Sequence, residues 1–147
     1  MAMSVTINET LFLKENMSTQ DLFDAAKSAM GHSHSPYSKF PVGAAIRSKS
    51  GTIYAGCNIE NASFPEGWCA ETTAISHMIV GGDTEISEIL VLSEKMDKIT
   101  PCGGCRQRIS EFANASTQVH LCDSNGVLET ITIADLLPAS FDLDEHT

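Results

Sequence analysis

Three cysteines and one glutamate are the residues whose types and spacing indicate chemistry. Cys69 and Glu71 lie two positions apart in the stretch WCAETTAISHM, and Cys102 and Cys105 form a later Cys-x-x-Cys pair. Each set lies where a strand is predicted to give way to a helix. Free N–H groups at a helix N-terminus lower thiol pKa values and orient thiolates toward a shared cation. We therefore expect the three sulfurs to converge on one metal ion.

Zinc suits such a set of ligands. It accepts sulfur in a tetrahedral arrangement, and three protein ligands leave its fourth position for water, which is the pattern of a catalytic site. Glu71 lies within a helical turn of Cys69, so it can take a proton from the activated water without being a ligand and pass it to a substrate. A glutamate in the first turn of a helix can also simply favour the helix dipole, so its role depends on the three cysteines.

The elements that must position these residues follow from the apolar pattern. Residues 18–30 predict an amphipathic helix with Ser18 as its N-cap and Gly31 after its end. A polar loop follows, and then residues 42–48 and 52–60 predict a β-hairpin, because turn residues separate two short apolar runs.

The second half of the chain alternates helices and strands. A helix is predicted from Cys69 to the glycine pair at 81–82, a strand at 86–94, a helix at 102–113, and two further strands at 116–124 and 126–133. The strand at 86–94 shows little alternation, as expected when both faces are covered. We predict an α/β fold of three layers, α/β/α, with a central mixed five-stranded sheet, in one domain that spans residues 1–147.

Composition excludes several classes of function. The net charge is −10, and only 9 lysines and arginines are present, so a broad surface for a nucleic acid polymer is not expected. No apolar run is long enough to cross a membrane, and the N-terminus lacks the features of a signal peptide. We expect a cytoplasmic protein with a small neutral substrate. Five cysteines, an odd number, indicate reduced thiols or metal ligands and not a disulfide framework; Cys57 and Cys122 are expected in the core.

Five blocks of sequence carry a resemblance that covers nearly the whole chain. They are SPYSKFPVGAA at 35–45, GCNIENASF at 56–64, CAETTA at 69–74, PCGGCRQ at 101–107 and LLPASF at 136–141. In order and spacing they resemble the small, homo-oligomeric cytidine deaminases of the three-cysteine type, and a ligand-x-Glu motif followed by Pro-Cys-x-x-Cys is the established signature of zinc deaminases. The resemblance implies a cytidine deaminase-like fold, one zinc ion per subunit on Cys69, Cys102 and Cys105, and proton transfer by Glu71.

The resemblance also implies how a nucleoside is held. Phe40 would stack on or border the pyrimidine ring, and Asn58 and Glu60 would hydrogen-bond the ribose hydroxyls. Ala70, between a zinc ligand and the catalytic glutamate, is likewise expected to contact the substrate. Such polar contacts would favour the nucleoside over the free base, because a site built for hydroxyls rejects a ligand that leaves its groups unpaired.

Two positions resemble residues that complete the pocket of a neighbouring subunit, Phe64 and Phe141, so a closed homotetramer with shared active sites is implied. The chain also departs from the family's pattern. Three-cysteine members usually carry arginine directly after the catalytic glutamate, where it offsets the charge of three thiolates, and this chain has Thr72. We expect compensation by Arg106 or by a hydrogen bond from Thr72. Where a tyrosine is common, Phe64 lacks the hydroxyl.

The reaction implied is zinc-dependent hydrolytic deamination of cytidine and 2'-deoxycytidine to the corresponding uridines with release of ammonia, as in pyrimidine salvage. Two alternatives remain open. Since only Phe40, Asn58 and Glu60 speak for the substrate, another aminopyrimidine nucleoside, such as a modified cytidine or a nucleoside antibiotic, fits the same chemistry. A structural zinc site in an interaction module would need a fourth protein ligand, and none is spaced to supply it.

Overall fold

A mixed five-stranded sheet forms the middle layer of the fold. The computed structural model describes the backbone of residues 7–143 and the side chains of residues 19–143. The strands are β1 (Gly43–Ser48), β2 (Ile53–Cys57), β3 (Ile86–Leu92), β4 (Gln118–Asp123) and β5 (Gly126–Thr132). Their order across the sheet is β2-β1-β3-β4-β5. Only β3 and β4 pair in parallel, and the remaining neighbours are antiparallel. The predicted hairpin and the predicted mixed sheet are confirmed.

Helices cover both faces of this sheet, which confirms the three-layer prediction. They are α1 (Ile7–Met30), α2 (Ala70–Val80), α3 (Gly103–Glu111) and the short α4 (Ile133–Leu136). On one face, α1 packs against β1, β2 and β3; on the other, α2 packs against β1 and β2 and contacts α3. No helix within the described residues is long and apolar enough to span a membrane.

Period-two alternation sends neighbouring residues of each strand to opposite cores. On the α1 side, Leu22 and Ala26 pack with Ala45 and Leu90. On the α2 side, a larger cluster of buried apolar residues includes Ile46, Ile89, Val91, Met78 and Leu121. Strand β3 therefore contributes fully buried residues to both cores, which is why its sequence shows little alternation.

Two predicted boundaries are wrong. Helix α1 begins at Ile7, so Ser18 lies inside the helix and does not cap it. Strand β2 ends at Cys57, before the predicted end at residue 60. Beyond it the chain leaves the sheet, because Ile59 pairs with Trp68 through two backbone hydrogen bonds of 2.8 and 2.9 Å. The pairing of Ile59 with Trp68 replaces continuation of the strand.

One edge of the sheet gathers the element ends that carry the predicted chemistry. Gly43, the first residue of β1, is paired with both Cys57, the last residue of β2, and Leu92, the last residue of β3. Helix α2 packs back on β2, and α3 begins after the loop that follows β3. The N-termini of α2 and α3 consequently lie on the same side of the molecule.

Close packing of β2 on α2 depends on a glycine. A Cβ atom added at Gly56 would lie 2.4 Å from the backbone nitrogen of Ala74 and 2.8 Å from the carbonyl oxygen of Ala70. Real Cβ atoms do not approach backbone atoms so closely, so any larger residue must push the helix away from the strand. Gly56 therefore sets the distance between the sheet and the helix that carries Glu71.

We predict that Gly56→Ala destabilises the protein by about 3 kcal/mol, because overpacking against rigid backbone costs roughly 1–3 kcal/mol. Urea unfolding followed by circular dichroism measures the change. The matched control is Gly103→Ala, where an added Cβ meets nothing within 4 Å. Equal stabilities of the two variants would contradict the packing role assigned to Gly56.

Candidate active site

The three predicted zinc ligands converge at the N-termini of α2 and α3. Cys69 is the N-cap of α2, Cys102 is the N-cap of α3, and Cys105 lies in the first turn of α3. Their sulfur atoms all lie within 4.8 Å of one another. A tetrahedral zinc ion with Zn–S bonds of about 2.3 Å places its sulfurs about 3.8 Å apart, so the cluster fits one such ion with a small contraction. Within the described side chains, no other cysteine, histidine or carboxylate belongs to the cluster.

The thiols of the cluster already favour a thiolate. The pKa of Cys69 is lowered to about 6, chiefly because the Cys105 thiol donates a hydrogen bond to it, with further support from Cys102 and from the charge of Arg108. The same interaction raises the pKa of Cys105, which keeps the proton. A bound dication removes the remaining protons, since thiols that coordinate a metal are deprotonated.

Glu71 lies beside this cluster with only 5% of its surface exposed. Burial raises the pKa of its carboxyl group, and the neighbouring Cys69 thiolate adds to this effect. A carboxyl group with a raised pKa exchanges protons closer to neutral pH, as a general acid and base must. Its location in the first turn of α2 matches the prediction from the spacing of Cys69 and Glu71.

A cavity of about 370 Å³ is lined by Glu71, Cys69 and Cys102. Among the predicted substrate contacts, Asn58, Glu60, Phe64 and Ala70 line it. Sequence reasoning did not find the six further lining residues, which are Val42, Ile59, Gly67, Trp68, Ile99 and Thr100. A second cavity of about 420 Å³ adjoins it through shared residues and is bordered by Tyr37 and Ser38.

Glu60 is held as a carboxylate by the loop that precedes β1. Its Oε1 accepts hydrogen bonds from the backbone N–H groups of Tyr37, at 3.0 Å, and Ser38, at 3.1 Å. The Ser38 hydroxyl donates to Oε2. These bonds, led by that of the Ser38 side chain, lower the pKa of Glu60. An ionised and fixed carboxylate is a suitable acceptor for sugar hydroxyls.

Asn58 fastens the same loop to the end of β2. Its Nδ2 donates to the Phe40 carbonyl oxygen at 2.8 Å, and its Oδ1 accepts from the Val42 N–H at 2.9 Å and from the Ser33 hydroxyl. The amide therefore has a structural task in addition to the predicted ribose contact, and one N–H of Nδ2 remains for a ligand.

The three phenylalanines that were predicted to contact the substrate lie in different environments. Phe40 is partly buried against the hydrophobic core and lines neither cavity. Phe64 is 73% exposed and packs edge-on against Tyr37, with ring centroids 5.7 Å apart. Phe141 is also exposed, and its backbone N–H and carbonyl both bond to the side chain of Gln107 on α3. The Gln107 clamp was missed, although Gln107 belongs to the PCGGCRQ block.

The departure at Thr72 has a structural answer in part. The Thr72 hydroxyl is buried 4.0 Å from the sulfur of Cys105, within reach of a weak hydrogen bond to sulfur. Arg106, the other expected partner, donates to the carbonyl oxygens of Pro101 and Leu136, both at 2.9 Å. Its guanidinium therefore ties the start of α3 to α4 and is committed to these carbonyls.

Comparison with known proteins agrees with this geometry. The sequence profile of the cytidine and deoxycytidylate deaminase zinc-binding region matches residues 17–121. The chain belongs to this deaminase family. It is 40% identical over 129 residues to a cytidine deaminase of Sporosarcina psychrophila, covering 88% of this chain and 95% of that one. A cytidine deaminase of Halalkalibacterium halodurans is 37% identical, covering 88% and 98%.

Solved deaminase structures share the fold. A cytidine deaminase from Burkholderia pseudomallei superposes with a TM-score of 0.78 at 37% identity, covering 83% of this chain and 98% of that chain. One from Mycobacterium tuberculosis gives 0.76 at 28% identity, covering 84% and 97%. The cytidine deaminase-like fold is thereby confirmed, and the zinc-binding deaminase family accounts for the cluster of Cys69, Cys102 and Cys105.

We predict that Cys102→Ser binds less than about a tenth of the zinc held by the wild-type protein, because a ligand of the three-thiol site is lost. Mass spectrometry of metal content after dialysis checks this. The control is Cys57→Ser, which changes a cysteine outside the cluster. Full zinc content in Cys102→Ser would mean that the metal binds elsewhere.

Proposed function

We propose that the protein hydrolytically deaminates cytidine and 2'-deoxycytidine to uridine and 2'-deoxyuridine, with release of ammonia. The observation that carries the proposal is the buried carboxylate of Glu71 beside three convergent thiols at the bottom of an open cavity. The cytidine deaminases to which the chain is similar support the choice of substrate. The proposal assigns the reaction to pyrimidine salvage. It also includes a cytoplasmic location, one domain over residues 1–147 and one zinc ion per subunit.

A zinc ion held by Cys69, Cys102 and Cys105 would supply a Lewis acid that lowers the pKa of the attacking water. Glu71 takes a proton from the attacking water and delivers it to ring N3, while the water oxygen adds to C4. The tetrahedral adduct then loses the exocyclic amine: Glu71 transfers the second proton from the hydroxyl to the amine, the C4–N bond breaks, and ammonia leaves.

The cavity favours a nucleoside over a nucleotide. Among the described residues that line the two cavities, none is lysine, arginine or histidine, whereas Glu60 and Glu71 are acidic. A phosphate group binds to cations or to helix N-termini, and the N-termini of α2 and α3 are already taken by the thiols. Glu60 and the remaining N–H of Asn58 suit the ribose hydroxyls.

An alternative substrate is another aminopyrimidine nucleoside, because the open cavity has room for a modified ring. Competition between cytidine and modified cytidines separates the two. A structural zinc module is disfavoured, because within the described side chains the cluster has three ligands and a buried acid beside it.

We predict that purified protein removes the cytidine absorbance band in a zinc-dependent manner, and that Glu71→Gln lowers kcat by about 10²–10⁴-fold while retaining zinc, since general acid and base catalysis contributes that much. Absorbance assays and metal analysis of the same samples measure both. Turnover close to wild type in zinc-loaded Glu71→Gln would rule out the proton transfers assigned to Glu71.

A homotetramer with shared active sites is part of the proposal. Two exposed aromatic residues support it: Phe64, which lines the open cavity, and Phe141, which is held by Gln107. Large exposed apolar side chains mark an interaction surface. A neighbouring subunit would cover these residues and close the cavity.

We predict that Phe141→Ala raises KM for cytidine about tenfold, because an aromatic contact to the ring is worth roughly 1 to 1.5 kcal/mol. Co-expression with Glu71→Gln should produce some sites with an intact Glu71 and an intact neighbouring Phe141, and hence a fraction of activity with the wild-type KM. Steady-state kinetics of the purified mixed oligomers tests this. A mixture that keeps only the raised KM would place Phe141 in its own subunit's site.

A further inference from the structure

The zinc site carries an excess of negative charge that the protein must balance. Three thiolates around one dication leave a net charge of about −1, and the carboxylate of Glu71 lies close by with most of its surface buried. Uncompensated negative charge makes the zinc ion a weaker Lewis acid. Because the thiolates repel one another, it also weakens their binding to the zinc ion. The hydroxyl of Thr72 carries no charge, so it cannot supply the balance.

Arg108 brings a positive charge to this site from the second turn of α3. Its guanidinium carbon lies 5.8 Å from the centre of the Trp68 ring, within the range of a cation–π contact. Trp68 directly precedes the zinc ligand Cys69 in the chain. The charge of Arg108 acts on both Cys69 and Glu71.

The direction of the Arg108 side chain follows from helix geometry. Long side chains in a helix point back toward its N-terminus, and the Nη1 atom of Arg108 lies 3.3 Å from the point where a Cβ of Gly104 would be. Gly104 stands between Cys102 and Cys105 in the motif. The guanidinium therefore lies over the first turn of α3, and the absence of a side chain at Gly104 leaves room for it.

Four of the other cations among the described side chains are engaged elsewhere. Ion pairs join Arg47 to Glu88, Lys49 to Glu85 and Lys98 to Glu129. Arg106 donates to two backbone carbonyl oxygens. Arg108, in contrast, forms no ion pair with a carboxylate within residues 19–143, so its charge is not neutralised by a salt bridge there.

We propose that Arg108, oriented by Trp68, is the positioning residue that balances the charge of the three-thiolate zinc site, in place of a cation at Thr72. This inference rests on the zinc site of the proposed function. The balancing charge comes from an exposed residue of α3, whereas position 72 is buried beside Cys105.

The test is the rate at which zinc leaves the native protein into an excess of a coloured chelator. We expect Arg108→Gln to release zinc about tenfold faster at low ionic strength, at the lower end of the range for residues that support metal ligands. Arg108→Lys should stay close to wild type, since it keeps the charge. The matched control, Lys27→Gln, removes an equal charge from the exposed face of α1 and should release zinc at the wild-type rate.

Salt separates a charge effect from a packing effect. Because Arg108 is exposed, about 1 M salt, with a Debye length of about 3 Å, should remove most of the difference between wild type and Arg108→Gln. A difference that persists unchanged in salt, or an Arg108→Lys variant as fast as Arg108→Gln, would overturn the proposal. Should Arg108→Gln not fold, the wild type decides alone: zinc release that is the same in about 0.02 M and 1 M salt also overturns it.

Zinc release does not depend on the identity of the substrate. If zinc-loaded wild-type protein fails to deaminate cytidine while Arg108→Gln still loses zinc faster, the proposed substrate is wrong and the role of Arg108 stands. If cytidine is deaminated and the release rates are equal, the proposed function stands and the role of Arg108 is wrong.

Discussion

The site depends on the meeting of three thiols at two helix N-termini. Cys69 caps α2, and Cys102 caps α3 with Cys105 one turn further on. Each N-terminus offers partial positive charge and free N–H groups, which makes a cluster of thiolates tolerable. The sheet brings the two N-termini together. The packing of α2 on β2 through Gly56 and the parallel pairing of β3 with β4 place both N-termini at one edge of the sheet.

The pocket above the thiols is built by backbone hydrogen bonds to polar side chains. Asn58 ties the loop before β1 to the end of β2, and Ser38 holds Glu60 in place. Groups that are held in this manner need little reordering when a ligand binds, so more of the contact energy remains for affinity. The same loops leave Phe64 exposed at the rim, where a second subunit of the proposed homotetramer would complete the enclosure.

Local patterns were sufficient for most of the fold. The periodicity of apolar residues indicates buried strands and amphipathic helices. The ends of α2 and α3 lie within two residues of the predicted ends. The errors lie at two element boundaries, where the composition of a segment does not decide which backbone it pairs with or how far a helix extends. Residues 58–60 have a strand-like composition, yet Ile59 pairs with the backbone of Trp68 and lies outside the sheet. Ser18 is a good capping residue, yet the helix continues through it to Ile7.

The sequence by itself determined which groups are available for chemistry: three cysteines can ligate one zinc ion, and Glu71 lies within one helical turn of Cys69, because ligand type and helical periodicity are local properties. Tertiary structure decided which distant groups serve that chemistry. The contact of Thr72 with Cys105, the clamp of Gln107 on Phe141, and the approach of Arg108 to Trp68 each join residues on different elements. Their side chains meet only after the sheet and helices have packed, so no local pattern encodes their distances.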